Sequence, residues 1–558
     1  MKLKFFFLFL LPAFISAQQA YRSPYLSNPL LITGYVDSCA SFWIKAYDAQ
    51  YGGYYTNINR TGGNTNTAKH TMNNSRDAYG FIRAFQMTGK QIYLTHARQA
   101  LQFMYAHSWD STYGGWFNTL DRYGNAASRT ENKTAFYQHY ALLGIAAMYE
   151  ATHDSLDWQW LMKGYANNES KFWDPRPEYF GYYDRILYNG TSPSGKTFNS
   201  TVDAITTHVL HLYLMTGDQK YLIRLKELGE NMKTRLRGSM AQQAIGFAEI
   251  YDSDWNINSS ETMTIMGHVL KTAWCFARLY HVTKDPSYIE YAEQLADHVL
   301  ANGYDSQYGG PYKDYNRTTG QMLMWGISDT AKAWWQMEQA VTAGLMLYQI
   351  TGKQKYLTMA DETLDFFMKY FVDHTYGDVY ENRARNGNAI AAWGTTKGND
   401  GKAAYHSIET GYYAYLYQSL MTAKSTASLY YYFNPAASSR TITLRPLSFP
   451  DYRIKSVYLN DTLLTAVDQK SSAITLAAGR GGTVRAIFEY FPSATMVSEK
   501  PGVPSEYVLD QNYPNPFNPV TNIRYTLPEN SMVSLKIYDM LGREVKTLIS
   551  GGQETGTH

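Results

Sequence analysis

A unit that repeats every 64 to 68 residues is the sequence feature that most constrains the fold of this chain. Aromatic glycine loops accompany the repeat at Tyr51–Tyr54, Tyr113–Trp116 and Tyr308–Tyr312. Such a period is typical of helical or strand units that bury their apolar faces against their neighbours. The repeat is marked by threonine-led turns at Thr88-Gly89-Lys90, Thr152-His153-Asp154, Thr216-Gly217-Asp218, Thr283-Lys284-Asp285 and Thr351-Gly352-Lys353.

Helical periodicity surrounds each threonine-led turn. In Gln91–His107 the apolar residues Tyr93, Ala97, Leu101 and Met104 follow at 4, 4 and 3 steps, which places them on one helix face. The same spacing returns after the later turns, from Tyr288 and from Tyr356. A second series of helices precedes the turns, and a sixth helix of this kind follows them: Met72–Met87, Thr134–Ala151, Val202–Met215, Thr262–Val282, Lys332–Ile350 and Tyr405–Met421.

An opening helix near Leu30–Tyr47 completes six helix pairs. Six pairs of this size can close into a ring, with one helix of each pair inside and one outside. An open superhelical array is the alternative arrangement. We predict an all-α (α/α)6 barrel over residues 21–424, and we expect the aromatic glycine loops to form the wall of its mouth.

The period changes to two after the helical region. Five short strands separated by Asn, Asp, Ser and Gly turns predict a small β-sandwich-like domain over residues 428–491. A segment rich in Pro and Ser at residues 492–506 is interpreted as a linker. The predicted strands are Leu429–Phe433, Thr441–Leu444, Ile454–Leu459, Ile474–Leu476 and Val484–Tyr490.

The N-terminus, Met1–Ala17, combines Lys2 and Lys4 with a short apolar run and small residues. This pattern predicts a secretory signal peptide that is too short to span a membrane, and no later run is long and apolar enough for a transmembrane segment. Net charge is only +2, with acidic and basic residues mixed, which argues against nucleic-acid binding. Cys39 and Cys275 are expected to be buried thiols.

Reactive side chains are concentrated near the starts of the second series of helices, which we expect to lie inside the ring. Arg76, His208, His268 and His406 are the candidate catalytic residues. Two facing histidines could remove a proton from carbon and return it on the other side, and an arginine could stabilise an enediolate oxygen. Alternatively, each histidine is a buried, hydrogen-bonded core residue. Arg76, His208 and His268 lie 12, 8 and 15 residues before their turns, so they are not level along their helices.

Aromatic and polar residues in the same region are candidates for sugar binding: Trp335, Glu338, Gln339, Tyr137 and Trp116. An aromatic side chain with a polar edge suits stacking on a sugar ring, although core packing is the common role of such residues. Neither an HxH nor an HExxH spacing is present to indicate a metal site. No cofactor is expected, because a sugar carbonyl itself acidifies the neighbouring C–H bond.

Several motifs resemble the N-acylglucosamine 2-epimerase superfamily, and most closely its cellobiose 2-epimerase branch. The motifs are Asn74-Ser75-Arg76 with Phe81, Lys133–Tyr149, Thr206-Thr207-His208, Gly267-His268, Trp334-Trp335 and Lys402–His406. The resemblance covers about Tyr21–Lys424 and implies an (α/α)6 barrel. It also implies that His268 and His406 form the acid/base pair, while His208 and Arg76 serve ring opening and enediolate stabilisation.

The chain departs from that family pattern at three positions. Lys271 stands where the family has a glutamate after Gly-His, and Leu210 stands where it has a second histidine. The glutamate expected after the double tryptophan falls at Gln339, with Glu338 one position early. The proton-transfer residues are therefore kept while their supporting residues differ, which leaves the substrate open and allows a weakly active or inactive member.

The C-terminal segment 507–558 resembles the type A sorting domain of type IX secretion. The resemblance depends on the run Gln511–Pro519, on Ile537-Tyr538-Asp539 and on Gly542-Arg543. Such domains usually run further, so we expect this one to be truncated. The resemblance implies the type IX secretion machinery as a partner and a secreted or cell-surface location.

The leading functional hypothesis is a secreted sugar 2-epimerase or aldose-ketose isomerase acting on the reducing end of a mono- or disaccharide. A glycoside hydrolase or polysaccharide lyase on the same barrel is a second hypothesis. A hydrolase needs two carboxylates across a cleft, and Asp77, Asp203 and Glu338 form no clear pair in the sequence. A non-catalytic glycan-binding protein, which needs aromatic residues but no histidines, is the third.

Overall fold

The computed structural model describes residues 21–323, 330–492, 507–509, 512, 521–539 and 543–558. The predicted signal peptide, all of the predicted linker after Pro492, and most of the run Gln511–Pro519 lie outside the described residues. The chain forms two compact units, one ending at Phe491 and the other beginning at Pro492.

The first unit is built mainly of α-helices. A π-helical turn, Ile205–Val209, joins α7 to α8, and π-helical turns also extend α9, α13 and α14. The helices, in chain order, are α1 (Pro24–Ser27), α2 (Leu31–Trp43), α3 (Thr71–Thr88), α4 (Gln91–His107), α5 (Ala135–Thr152), α6 (Ser155–Lys171), α7 (Phe198–Ala204), α8 (Leu210–Thr216), α9 (Gln219–Asn231), α10 (Met266–Thr283), α11 (Ser287–Asn302), α12 (Trp334–Thr351), α13 (Gln354–Phe366) and α14 (Ala404–Leu416).

The helices close into a ring of two layers. The inner layer is α3, α5, α7–α8, α10, α12 and α14, each packed on the next, and α14 returns to α3. Each outer helix packs mainly on one inner helix, α4 on α3, α6 on α5, α9 on α8, α11 on α10 and α13 on α12, while α2 packs mainly on α14. This arrangement confirms the predicted (α/α)6 barrel over the open array, and the first outer helix closes the ring against the last inner one.

The threonine-led turns are C-terminal caps of the inner helices. In each of the five turns the threonine hydroxyl donates to the carbonyl four residues earlier and accepts from the N–H two residues later. The residue after the threonine is left-handed, with φ near 70° at Gly89, Gly217 and Gly352. These bonds satisfy backbone groups that a helix end otherwise leaves open, which explains why threonine marks the repeat.

The aromatic glycine loops are held by buried lysines, four of which lie two residues before an inner helix. Lys69 Nζ is 3.0 Å from Asp48 Oδ2 and donates to the Gly52 carbonyl. The same pattern joins a lysine to the aspartate that opens the loop in later repeats, and each of these lysines is fully or nearly fully buried. The further pairs are Lys133–Asp110, Lys196–Asp174, Lys332–Asp305 and Lys397–Asp373.

Short antiparallel strand pairs lead into five of the six inner helices. They bring the loop that follows each helix pair back beside the start of the inner helix of that same pair, which fixes where the inner helix begins. The pairs are Lys69–His70 with Thr119–Leu120, Lys133–Thr134 with Arg185–Ile186, Lys196–Thr197 with Ile250–Tyr251, Met263–Ile265 with Asp314–Asn316, and Lys332–Ala333 with Asn382–Arg383. Asp314–Asn316 also pairs with Met322–Leu323, and Trp173–Asp174 pairs with Gly181–Tyr182.

The first unit ends in a β region of two antiparallel sheets. One sheet has the order Thr426–Phe433, Gly482–Tyr490, Tyr452–Leu459, Thr462–Leu463, and the other Arg440–Thr443, Ala473–Leu476, Val467–Asp468. Alternate residues of Thr426–Phe433 are buried, as the period of two predicts. This strand contacts α3 and α5, and its Tyr430 lies beside the cap glycine Gly89, so the β region covers the ring where the inner helices end.

The second unit contains two small antiparallel sheets among its described residues. Tyr525–Leu527 lies between Val508–Leu509 and Gly556–Thr557, and Ser531–Tyr538 pairs with Glu544–Gln553. Among the helices of the described part of the chain, none is both long and apolar enough to cross a membrane. Cys39 and Cys275 are buried free thiols, as predicted.

The inner helices α3 and α5 approach each other closely at Gly144, and a substitution there tests this contact. A Cβ at this position of α5 would lie 2.4 Å from the Ser75 carbonyl oxygen of α3. We expect Gly144→Ala to lower the free energy of unfolding by about 1–3 kcal/mol, because backbone atoms must shift to make room. Gly34→Ala is the matched control, since that site on α2 has no atom within 4 Å. Chemical denaturation measures both variants, and an equal effect of the two would contradict this close approach.

Candidate active site

A cavity of about 350 Å³ opens at the end of the ring where the inner helices begin. Every inner helix contributes a lining residue from its first or second turn. These residues include Arg76 of α3, Tyr140 of α5, Asp203 of α7, His268 and Lys271 of α10, Trp335 of α12 and His406 of α14. No residue of the aromatic glycine loops is among the lining residues. The expectation that these loops form the wall of the mouth is therefore wrong, and the first turns of the inner helices form much of that wall instead.

The sixth residues of the inner helices form one polar layer across the ring. Counted from the first residue of each helix, they are Arg76, Tyr140, Asp203, Lys271, Gln339 and Glu409. The third residues of α10 and α14 are His268 and His406. Because the six helices begin at nearly the same height, residues at equal positions come to equal depth, about 1.5 Å per residue from the mouth.

His268 is held between an aromatic ring and a carboxyl group. Its imidazole stacks on Phe198 with ring centroids 3.7 Å apart. Its Nδ1 is 2.7 Å from Glu249 Oε2, on the loop before α10. Because a carboxylate can only accept a hydrogen bond, Nδ1 carries the proton and Nε2 is left as the basic nitrogen.

His406 has an equivalent arrangement from a different helix. Its Nδ1 is 2.7 Å from Glu338 Oε2 of α12. Burial lowers the pKa of His406 well below its ordinary value, and the nearby cations Arg76, Lys271 and Lys402 lower it further. His406 is therefore neutral at neutral pH and can accept a proton. The Trp335 ring lies 5.1 Å from the His268 ring and 6.1 Å from the His406 ring, so both histidines flank one indole.

Arg76 is a buried cation with no carboxylate within salt-bridge distance among the described residues. Its guanidinium lies 4.0 Å from the Tyr140 ring centroid and donates to the Gly401 carbonyl. Its Nε is buried without a hydrogen-bond partner among the described groups. A buried guanidinium that lines a cavity in this state is suited to stabilise negative charge that develops there.

Lys271 and Asp203 form an ion pair in the cavity wall. Lys271 Nζ is 2.6 Å from Asp203 Oδ1 and 3.2 Å from the Tyr140 hydroxyl. Burial alone would raise the pKa of Asp203, but Lys271 outweighs it and lowers that pKa. Burial likewise opposes the charge of Lys271, and Asp203 outweighs it and raises the lysine pKa. The lysine that departs from the family pattern is thus charged and brings its own counterion.

The sequence-predicted residues divide into three groups. Arg76, His268, His406 and Trp335 line the cavity. Glu338 and Gln339 lie behind it, where Gln339 donates to Glu338 and accepts from Trp274. The structure does not bring the third group to the cavity: His208, Tyr137 and Trp116.

Each of the residues outside the cavity has another environment. His208 is fully buried, with its ring 5.4 Å from that of His139 and its Nδ1 near the Thr207 hydroxyl. Tyr137 is half-buried and packs on Phe136. Trp116 is buried in an aromatic cluster with Trp109 and Trp160. His208 is the eleventh residue of its inner helix, so it lies too deep to reach the layer of His268 and His406.

Among the described residues, the side chains of Glu338, His406 and Glu409 bring potential metal-ligating atoms within 4.8 Å of one another. His406 Nδ1 and Glu338 Oε2 are hydrogen-bonded to each other, and Glu409 Oε1 accepts from the Tyr79 hydroxyl. Because His406 Nδ1 and one oxygen of each carboxyl group already have protein partners, we interpret the cluster as a hydrogen-bond network and do not assign it to a metal.

The N-acylglucosamine 2-epimerase (GlcNAc 2-epimerase) family model matches residues 53–410, which is more than half of the chain. The chain belongs to the N-acylglucosamine 2-epimerase family. The predicted resemblance is thereby confirmed, and membership places the chain among carbohydrate epimerases and isomerases. A second family, the secretion system C-terminal sorting domain, matches residues 511–557 and confirms the other resemblance.

Three relatives of this family member illustrate the match. It is 20% identical over 363 residues to a cellobiose 2-epimerase of Bacteroides fragilis, covering 62% of this chain and 88% of the relative. It is 20% identical over 402 residues to a D-mannose isomerase of Marinomonas mediterranea, covering 70% and 97%. The structure of a cellobiose 2-epimerase from Spirochaeta thermophila superposes with a TM-score of 0.62 at 21% identity, covering 71% and 98%.

Sequence reasoning missed several residues of this epimerase-family site. Glu249 lies on a loop outside any inner helix, and no local pattern linked it to His268. Tyr140 and Glu409 could have been found by aligning the inner helices at their first residues, since they share the sixth position with Arg76. The same alignment would have placed Asp203, which the sequence analysis considered only as a hydrolase carboxylate, in this layer. The helix starts are set by the short strand pairs, which the sequence did not reveal.

Glu249→Gln tests the carboxyl group behind His268 in this family member. Loss of the carboxylate frees the imidazole to change tautomer or rotate, so we expect kcat/KM for a responsive sugar to fall about 100-fold. Glu261→Gln, at a half-buried residue of the same loop system whose Oε1 accepts from the Met263 N–H, is the matched control and should leave kcat/KM unchanged. Steady-state kinetics decide the matter, and equal kinetics for the two variants would remove Glu249 from the site.

Proposed function

We propose that this protein is an exported sugar 2-epimerase or aldose-ketose isomerase that moves the C2 proton of an opened reducing-end aldose. The observation that carries the proposal is the pairing of His268 and His406. Each has a carboxyl group behind Nδ1, and both flank Trp335 in a cavity that Arg76 also lines. The cellobiose 2-epimerase and D-mannose isomerase relatives support the reaction class.

The proposed chemistry begins at His406. Its neutral Nε2 takes the C2 proton, and the electrons of the broken C–H bond form a C1–C2 double bond while the carbonyl oxygen becomes an enediolate oxygen. Arg76 balances that negative charge. Protonated His268 then gives a proton to C2 from the opposite face, which yields the epimer. If instead the O2 hydroxyl passes its proton to the O1 oxyanion and the proton held on His406 is returned to C1, the C2–O2 bond becomes the carbonyl and the ketose forms.

The arrangement of carboxylates favours this proposal over hydrolysis. Asp203 is neutralised by Lys271, and Glu338 is fully buried behind His406. Burial raises the pKa of Asp77 to about 8, and its Oδ1 accepts from the Ala404 N–H. None of these three groups is a solvent-accessible acid or base facing a second carboxylate, which a glycosidase needs.

Export is proposed from both ends of the chain. The N-terminal pattern at Met1–Ala17 is that of a signal peptide, and the sorting domain at residues 511–557 supports a secreted or cell-surface location. We infer the type IX secretion machinery as the partner that recognises this domain. A mono- or disaccharide with a free reducing end is the inferred substrate.

Solvent exchange tests the proposed reaction. The mature protein is incubated in D2O with mannose, glucose, cellobiose or mannobiose, and NMR follows the C2 hydrogen of substrate and product. We expect deuterium at C2 of at least one sugar, with formation of its epimer or ketose. Shortening of an oligosaccharide without exchange would assign the protein to the hydrolases instead, and binding without turnover would assign it to the glycan-binding proteins.

A further inference from the structure

Two buried carboxyl groups lie behind His406, on the side away from the cavity. Glu338 comes from α12, and Glu409 comes from α14, three residues after His406 and therefore on the same helix face. Both are at most 4% exposed. One acid would be enough to hold the imidazole, so the second one calls for its own explanation.

Each carboxyl group has one oxygen with donors and one without. Glu338 Oε2 accepts from Gln339 Nε2 at 2.7 Å and lies 2.7 Å from His406 Nδ1. Glu409 Oε1 accepts from the Tyr79 hydroxyl at 2.7 Å. The other two oxygens, Glu338 Oε1 and Glu409 Oε2, are buried and have no partner among the described groups.

The two carboxyl groups bring one oxygen each within 4.8 Å of the other, and this closeness is unfavourable as long as both groups are ionised. Burial penalises each charge, and the like charges repel. A single proton between the two oxygens removes one charge and satisfies both atoms at once. Glu338 Oε2 already receives donors, whereas Oε1 has none, so the proton belongs on Oε1 and points toward Glu409.

We propose that Glu338 and Glu409 share one proton, carried on Glu338 Oε1 and donated to Glu409 Oε2, and that Glu409 is thereby a positioning residue for His406. Neutral Glu338 accepts the Nδ1–H of His406 through Oε2 and fixes Nε2 toward the cavity. The negative charge remains on Glu409, one group further from the imidazole. This role of the pair in catalysis rests on the proposed function of His406 as a base.

The electrostatic surroundings agree with one negative charge at this place. Burial, then Glu409, raises the pKa of Glu338 well above its usual range, while Lys271 and Arg278 oppose the rise. These two cations of α10 favour one ionised carboxylate over none. The titratable and charged groups that face His406 and this pair are Arg76 and Tyr79 of α3, Tyr140 of α5, His268, Lys271 and Arg278 of α10, Lys402 before α14, and Tyr405 of α14.

Two glutamine variants locate the proton. Glu338→Gln resembles the protonated acid, because its amide donates to Glu409 while its carbonyl accepts from His406. Glu409→Gln donates to Glu338 and so forces Glu338 to ionise directly beside His406. We expect the pKa of His406 to stay within a few tenths of a unit in the first variant and to rise by about one unit or more in the second.

The measurement is an NMR titration of the full chain with isotope-labelled histidine, in which His406→Asn identifies the His406 signal. In Glu409→Gln the acidic limb of the pH profile of C2 exchange should also move to higher pH, because His406 acts as a base only while it is neutral. Thermal unfolding checks that both variants fold. If Glu409→Gln does not fold, Glu338→Gln alone still tests the proposal, since both alternative protonation states predict a lower pKa of His406 in that variant.

Other protonation states give other patterns. If Glu338 is ionised and Glu409 carries the proton, Glu338→Gln lowers the pKa of His406 and Glu409→Gln leaves it unchanged. If both are ionised, both variants lower it. Either result overturns the proposal. A third result would also overturn it: one equivalent of divalent metal in the purified wild-type protein and none in Glu409→Gln.

The titration does not depend on turnover, so it separates this proposal from the proposed function. Absence of C2 exchange in the wild type, together with the expected titration pattern, would remove the function and keep the carboxyl pair. Exchange in the wild type with a different pattern would keep the function and remove the pair.

Discussion

Substitution of either cavity histidine alone should abolish C2 hydrogen exchange in one epimer of a sugar and leave exchange in the other epimer. His406→Asn is expected to abolish exchange in the epimer whose C2 proton faces His406, while the other epimer still exchanges through His268. His268→Asn should show the reverse. Epimer formation should fall about 100- to 10,000-fold in both variants, because each lacks one of the two proposed proton-transfer groups. Proton NMR in D2O, starting from each epimer separately, measures both quantities.

His208→Asn is the control for this experiment, because His208 was predicted to be catalytic but lies outside the cavity. We expect the folded fraction of this variant to retain exchange in both epimers. A loss equal to that of His406→Asn in well-folded protein would mean that the cavity described by His268, His406 and Arg76 is not the site of reaction. Loss of exchange in both epimers with either single variant would contradict the two-histidine division.

Removal of Asp305 should cause a large loss of stability. Lys332 is fully buried, and Asp305 is its carboxylate partner at 3.0 Å. Asp305→Ala leaves that ammonium buried without a counterion, and also frees Arg385. We expect the free energy of unfolding to fall by about 3–5 kcal/mol. Chemical denaturation followed by circular dichroism measures the change.

An exposed ion pair provides the comparison. Lys90 pairs with Asp37 at 2.7 Å, but half of the Lys90 side chain is exposed. Lys90→Ala should therefore cost less than about 1 kcal/mol. If Asp305→Ala costs no more than Lys90→Ala, the buried lysines are not the groups that hold the aromatic glycine loops in place.

The barrel could be predicted because its causes are local and repeated. A threonine hydroxyl that caps each inner helix needs only a few neighbouring residues, so the same signal returns at Thr88, Thr152 and Thr216. Apolar spacing identifies the outer helices in the same way. The closing contact between α2 and α14 could be expected only from the number of helix pairs, since no local pattern joins them.

Only part of the candidate site could be predicted, because its residues come from six helices that are far apart in the sequence. His268, His406 and Arg76 were found from residue type and family resemblance. Trp116 was predicted to bind sugar because it lies in an aromatic glycine loop. Its indole is instead buried against Trp109 and Trp160. His208 differs from His268 in depth, 8 against 15 residues before the threonine turn, and that difference was visible in the sequence.

The supporting carboxyl groups could not be predicted, since their partners are distant along the chain. Glu249 reaches His268 from a preceding loop, and Glu338 reaches His406 across 68 residues. Lys271 looked like a loss of function, because a base replaces an acid. Only its pairing with Asp203 shows that the cavity wall stays close to neutral at this point.

The contact between α2 and α14 has a consequence for when the protein becomes active. Tyr35 of α2 donates to the Ser407 carbonyl, 372 residues further along the chain, and His406 lies beside that contact. Joining ends this far apart costs chain entropy before any other contact repays it. A chain that is complete only as far as α13 therefore has no His406 in place and no complete cavity. Under the proposed function, activity begins only after α14 has packed against α2 and α3.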